Sequence, residues 1–498
     1  MGSRAYHGDR ARSGNADPRG GVAVFVPASA DAAIPEHPEA FDAPRSRAHL
    51  GAFDLTVHRS VLEVLRLAWP VIAHSSLLTM VFVVDRVLCG RRSPDALASL
   101  QLSTVAVWAI TSIFTACSAG TLAIAGRAFG ARDALEVGRT VRASLAMAAI
   151  AGVAVVAVAL PLLGPSARWL LPSMGASVEA DVLGYLYIVI PTLPLAFVEV
   201  IAASSLQAIG DTRSPVVAAA SANVVNLVLS LLLVFGWMGM PALGVRGAAI
   251  GAAAAAVVQT VITLVALARR SDVPLATPIS EHDREIVSRL VRVSGPAALD
   301  KVAYAGGYLA FSLVLGLIGP AAMAANQAIV SVEAFSFLSA EGLGVAAGVL
   351  VAQKLGANDA SGAQAATRSA GRIGVALLSA LGLAFLLGSS PLLAVFSSAP
   401  DFSAAARPAL VVAALAQPWM AYALVARSAL RGAGATRTVL YVSAASTLLV
   451  RLPLAYGLGV VAGLGLVGAW VACLLDWALQ AALFERLLRG GALERARV

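Results

Sequence analysis

Charge is scarce in this sequence. Asp, Glu, Lys and Arg make up 13% of its 498 residues, about half the share that a soluble domain carries. That excludes a water-soluble globule of this size. It also excludes a disordered chain, which is rich in charge and poor in apolar side chains. Cysteine is nearly absent: Cys89, Cys117 and Cys473 stand far apart. An odd, dispersed set gives neither a disulfide framework nor metal spacing, so they read as buried free thiols. No P-loop, HExxH pair or G-x-S-x-G elbow occurs, which removes a built-in ATPase motor and the common hydrolase sites.

Apolar residues fill the space that charge leaves. They make up 59% of the chain, and the mean hydropathy is +0.82, which reads as an all-α polytopic membrane protein with the lipid bilayer as its solvent. Residues 1–60 differ in kind: Arg4, Arg10, Arg12, Arg19, Arg45 and Arg47 lie among Gly, Pro, Asp and Ser. Val22–Val26 is too short for a signal-peptide core, so the segment reads as a retained, disordered cytoplasmic tail. Beyond it, apolar runs at 66–89, 96–123, 141–164, 181–207, 214–236, 245–268, 292–317, 321–345, 371–389, 407–429, 438–457 and 465–488 predict twelve transmembrane helices. Each has about 36 residues with its loop, where roughly 20 are needed to cross.

The longest connection, 269–291, is polar (Arg269, Arg270, Asp272, Glu281, His282, Asp283) and divides a first lobe, 61–268, from a second, 292–488, with 489–498 as a cytoplasmic tail. Glu281, His282 and Asp283 are read as a solvated linker and not as metal ligands; no cofactor is expected. The net charge of +8 does not point to nucleic acid, because the arginines sit between apolar runs. With the N-terminus inside, Arg127, Arg132, Arg139, Arg142, Arg213, Lys354, Arg368, Arg431 and Arg437 fall on the cytoplasmic side. The outer loops keep Arg91, Arg92, Arg168, Arg246 and Arg407. This asymmetry places both termini in the cytoplasm.

The two halves repeat. At an offset of 226, Pro70 matches Pro296, Gln101 matches Gln327, Gly130 matches Gly356, Asp133 matches Asp359 and Arg142 matches Arg368. The offset becomes 224 for Gly210/Gly434 and Arg213/Arg437, and 221 for Gly244/Gly465. A block with an even number of spans returns the chain to its starting side, so the repeats are parallel and related by an axis along the membrane normal.

The repeated strings carry a resemblance. "VDRVLCG" (84–90) lies fifteen residues after Pro70; "AGRAFGARD" (125–133) returns as "VAQKLGAND" (351–359), and "LQAIGDTRSP" (206–215) as "LRGAGATR" (430–437). In this order, twice, they resemble the bacterial-type multidrug and toxic compound extrusion (MATE) family across nearly all of residues 61–488. The resemblance implies gradient-driven antiport of organic cations or drugs across the plasma (inner) membrane, with a carboxylate in the first span. The pattern is not complete: Ser230 stands where many relatives have an aspartate, and Tyr304 where the NorM-like branch has an acid. The resemblance therefore leaves H⁺ or Na⁺ as coupling ion open, and the second-lobe acid too.

Each charge inside a span costs about 2.5–3.5 kcal/mol on insertion scales and needs a reason. Asp85, Asp300, Glu333 and Glu341 are the ion-coupling candidates. For Asp85 the other reading is an interfacial acid beside Arg86, and for Asp300 a pair with Lys301. Glu333 and Glu341 lie about 80° apart around one helix; the other reading pairs them with Arg451. Substrate-binding candidates are Glu199, on the span with Pro191 and Pro194, together with Asn223, Asn226, Gln101 and Gln327. For all five the plainer role is bonding between helices. His74 reads as a packing residue.

The expectation is a secondary antiporter of small organic cations acting as a monomer without nucleic acid, not an enzyme. The alternatives are a lipid-linked precursor flippase of the same superfamily and a passive channel or scaffold. The flippase is disfavoured because the intramembrane charges read as mainly acidic.

Overall fold

Inside hydrocarbon a backbone can satisfy its own polar groups only as a helix or a closed barrel, and the apolar runs of this chain resolve entirely into helices. The computed structural model describes residues 46–170, 175–276, 282–394, 396 and 400–496. The chain divides after Gly51, and the described residues before that point are the first turns of the first helix. That helix, α1, runs Ser46–Arg92. It begins inside the segment expected to be a tail, since no proline interrupts it before Pro70; residues 1–45 lie outside the description.

Among the described residues eleven helices after α1 are shown to be long and apolar enough to cross a membrane: α2 Asp95–Gly130, α3 Ala134–Trp169, α4 Ala176–Ala208, α5 Arg213–Phe235, α6 Val245–Ala268, α7 His282–Ile318, α8 Pro320–Gly356, α9 Ala360–Leu387, α10 Ala406–Gly432, α11 Thr436–Val461 and α12 Gly465–Arg489. With α1 they give the twelve expected spans. Large apolar side chains such as Ile150, Leu313, Leu387 and Leu449 stand exposed on the outside, as a lipid-facing surface requires.

The longest overshoots of the expected ends after α1 lie at the arginine-rich end of the bundle. Helix α2 continues to Gly130 and α8 to Gly356, while α3, α7 and α9 start at Ala134, His282 and Ala360. Hydropathy falls where Arg, Lys and Asp begin, but the hydrogen-bond ladder has no reason to stop there. The expected linker 269–291 is corrected accordingly: from His282 onward it is the first turns of α7. Its charges are fixed on α3, Arg142 to Asp283 at 2.8 Å and Arg289 to Glu136 at 2.7 Å, with His282 3.2 Å from Glu136. Glu281 lies outside the described residues. In the preceding loop Arg270 pairs with Asp272 at 2.8 Å, and this hydrogen-bonded guanidinium holds the carboxyl below its usual range.

The repeated strings are helix–turn–helix joints. Arg132 and Asn358 take left-handed backbone angles (φ 61° and 58°), and the next residue, Asp133 or Asp359, starts the following helix. Asp133 Oδ1 accepts from the Glu136 amide at 2.9 Å. Asp359 Oδ1 accepts from the Gly362 amide at 2.8 Å and the Ser361 hydroxyl at 2.9 Å. Such caps satisfy amides that a helix start leaves open; the Gly362 amide above all holds the Asp359 carboxyl below its ordinary value.

The halves lock together at this same end. A Cβ on Gly130 would lie 1.9 Å from the Gln353 carbonyl oxygen, and a Cβ on Gly356 would lie 1.9 Å from that of Arg127. With 127/353 and 130/356 both at the offset of 226, this is one contact made twice about a pseudo-twofold axis. Side chains repeat it: Gln353 Nε2 donates to the Ala208 carbonyl at 2.7 Å, and Arg127 Nη2 to the Ala433 carbonyl at 3.3 Å. Each caps the end of a helix in the other half. Helix α1 bridges the halves: Val64 and Ala68 share a buried cluster with Leu343, Ala347 and Met420, while farther along it Cys89 packs with Leu100 and Val245.

Candidate functional site

Breaks in the spanning helices lie where polar groups gather. Helix α2 is interrupted at Ala116–Cys117. The carbonyl of Cys117 accepts from Ser294 Oγ of α7 at 2.8 Å, and that of Ser118 from Ser204 Oγ of α4 at 3.2 Å. Helix α4 tightens into a 3₁₀ turn over Ile190–Thr192, with Pro191 in it and Pro194 just beyond. Helix α11 widens into π-helical turns at Thr447–Arg451 and Gly457–Val461. Irregular backbone at membrane depth persists only where protein or a cavity satisfies it.

In the first half, Asp85 is buried at 2% exposure. Its Oδ1 accepts from Ser230 Oγ at 3.0 Å and its Oδ2 from Asn226 Nδ2 at 3.5 Å. α1 thus supplies an acid and α5 two neutral donors, a contact the sequence reading did not anticipate, and among the described residues Arg86 is not a partner. Asn223, one turn earlier, is committed elsewhere: its Nδ2 donates to the carbonyls of Leu77 (3.0 Å) and Ala219 (2.8 Å), tying α5 to α1. Glu199 is buried apart from Asp85's donors and accepts from Gln259 Nε2 of α6 at 2.9 Å. Gln101 and Gln327 are exposed at related places on α2 and α8.

The second half differs from the expectation. Asp300 is buried, but its partner is Arg431 of α10 and not Lys301. Adjacent residues on a helix point about 100° apart, so the Lys301 ammonium makes no direct pair with the Asp300 carboxylate. Arg431, expected in an inner loop, lies in the last turn of α10. Glu341 faces Arg427 at 3.9 Å, and Glu333 accepts from Gln417 Nε2 at 3.3 Å. Neither is paired with Arg451, whose guanidinium is 2.5 Å from Asp476 of α12. Asp476 is fully buried and also accepts from Ser446 and, at 3.0 Å, from Gln480.

Asp476, Arg427, Gln259 and Gln417 were missed, and Ser230 was noted only as standing in the place of an aspartate. A charge within a long apolar run flags the first two, whereas Ser230, Gln259 and Gln417 become legible only through the acids they face. The intramembrane cations Lys301, Arg427, Arg431 and Arg451 all lie within spans of the second half, so the charge there is mixed.

Twelve spanning helices in two like halves, sealed against each other at one end and carrying buried carboxylates in both, define a two-lobed polytopic membrane transporter. The chain belongs to the MatE family, whose sequence profile matches residues 70–232 and again 296–457, once per half; membership makes it a transporter and not an enzyme. It is 25% identical to the probable multidrug resistance protein NorM of Thermotoga maritima over 88% of this chain and 94% of that one. With the probable NorM of Deinococcus radiodurans the identity is 31%, over 82% and 90%. Its fold matches the Vibrio cholerae MATE transporter VcmN in the bent form, with a TM-score of 0.81 at 19% identity, covering 88% of this chain and 98% of that one.

Proposed function

We propose that this protein is a secondary multidrug efflux transporter of the plasma (inner) membrane, exporting amphipathic organic cations and drugs against H⁺ or Na⁺ by alternating access. The observation that carries the reading is Asp85, a buried acid held by Ser230 and Asn226 across the α1–α5 contact. An ionised carboxylate there attracts a cationic cargo; a proton or sodium ion on the same group removes the attraction. Such coupling is reciprocal, so cargo releases the ion as strongly as the ion releases cargo. A potential of 100 mV supplies about 2.3 kcal/mol per charge moved. Asp300, Glu333 and Glu341 are the second-half acids for the same work. Asp300 is engaged by Arg431, which leaves Glu333, on neutral Gln417, the freest of them. Glu199, Asn226, Asn223, Gln101 and Gln327 form the candidate cargo contacts. The names of the relatives support drug export, and the arginine-rich end supports cytoplasmic termini.

The test is export of ethidium by the full chain in proteoliposomes under an imposed pH or sodium gradient, with Asp85→Asn alongside. We expect one gradient to drive export and Asp85→Asn to slow it at least tenfold while the protein still inserts. Wild-type export by that variant would remove Asp85 from the coupling, and failure of both gradients with the unaltered chain would remove antiport.

A further inference from the structure

A cavity of about 240 Å³ lies between the halves, lined by Ser75 of α1, Thr115 and Ser118 at the α2 break, Lys301 of α7, Glu341 of α8 and Arg431 of α10. Its charge balance is unlike that of a simple cation pocket. Arg431 is neutralised by Asp300, and Arg427 faces Glu341, so both acids have a cation. Lys301 makes no ion pair of its own: among the described residues no carboxylate lies within 4.0 Å of its ammonium, the Tyr304 ring centroid is 6.0 Å from its Nζ, and it shares the field of Glu341 and Asp300 with Arg427 and Arg431, three cations around two acids. The Nε of Arg431 and of Arg427 also lack an acceptor. A lysine at this depth is expensive to leave unpaired, and donors without acceptors in a buried place cost more than donors that are met.

We propose that this cavity is an anion subsite that takes one acidic group of the cargo, a carboxylate in the first instance, on Lys301. The preferred cargo is then zwitterionic: its positive end meets the acids invoked above and its acidic end enters the cavity. Asp300 and Glu341 limit the subsite to a single negative charge, which separates such cargo from polyanionic lipids. Both halves build the walls, so parting the lobes disassembles the subsite and releases the acid. This rests on the efflux reading for its role in transport, but binding alone tests it.

The probes are rhodamine B, which has a free carboxylate, and its ethyl ester, which keeps the same cationic ring system. Fluorescence anisotropy with the purified full chain in neutral detergent gives the ratio of the two affinities. The unaltered chain is expected to bind the acid at least fivefold more tightly than the ester, with benzoate competing for the difference. Lys301→Met brings the ratio toward one, and Lys301→Arg restores the preference. A ratio of one or below in the unaltered chain, or an unchanged ratio in Lys301→Met, overturns the subsite. If Lys301→Met binds neither dye, the unaltered chain and Lys301→Arg decide. No gradient enters this measurement, so loss of antiport with the ratio intact sinks the efflux reading alone.

Discussion

A carboxylate in hydrocarbon persists only with partners, and the partners decide what it can do. Asp85 has neutral ones, so its charge remains available to an ion or a cargo. Asp476 has Arg451, Ser446 and Gln480 around it and no exposure; its charge is spent on holding α11 to α12. The two aspartates therefore predict opposite phenotypes. Asp476→Asn leaves the Arg451 guanidinium buried without a counter-charge, a change that costs about 3–5 kcal/mol. Thermal unfolding in detergent should show a clear loss of stability, partly recovered by adding Arg451→Gln. An unchanged midpoint in the single variant would mean that the pair is not structural. Both acids stand in apolar runs and could be found by scanning the sequence; only their neighbours distinguish them.

At the scale of elements, apolar runs gave the number of spans and the bounds of α6, whereas helix ends at the arginine-rich side came out several residues short. Hydropathy reports contact with lipid, and a helix that continues into water no longer shows it. The repeated glycines were legible as a repeat, but their job was not. Gly130 and Gly356 let two helix ends approach until backbone meets backbone. Gly356→Ala places a methyl group where the Arg127 carbonyl stands, an overpacking that costs about 1–3 kcal/mol. The sealed arrangement should lose population to one open at that end. Spin labels on the loops after α4 and α10 are expected to report a longer distance in the variant; an identical distribution would show that the glycine contact does not hold the seal.

For the molecule as a whole, twelve spans and the distribution of arginines predict that both ends of the chain face one side, the cytoplasm. Alkaline phosphatase fused after Arg489 should be inactive and green fluorescent protein at the same point bright. Active phosphatase there would invert the orientation, and with it the side of the membrane on which the sealed, arginine-rich end lies.

Much of this protein is decided by its sequence, because lipid and water partition residues without reference to distant parts of the chain. The membrane class, the twelve helices and the costly acid at Asp85 follow from that local rule, and the duplication follows from matching residues at a fixed offset. Pairing does not. That Asp300 is bound to Arg431, that Arg451 belongs to Asp476, and that Lys301 is left facing a cavity depends on which helices lie side by side. Electrostatic partnership inside a bilayer acts over a few ångströms, and residues more than a hundred positions apart come that close only once the helices have packed.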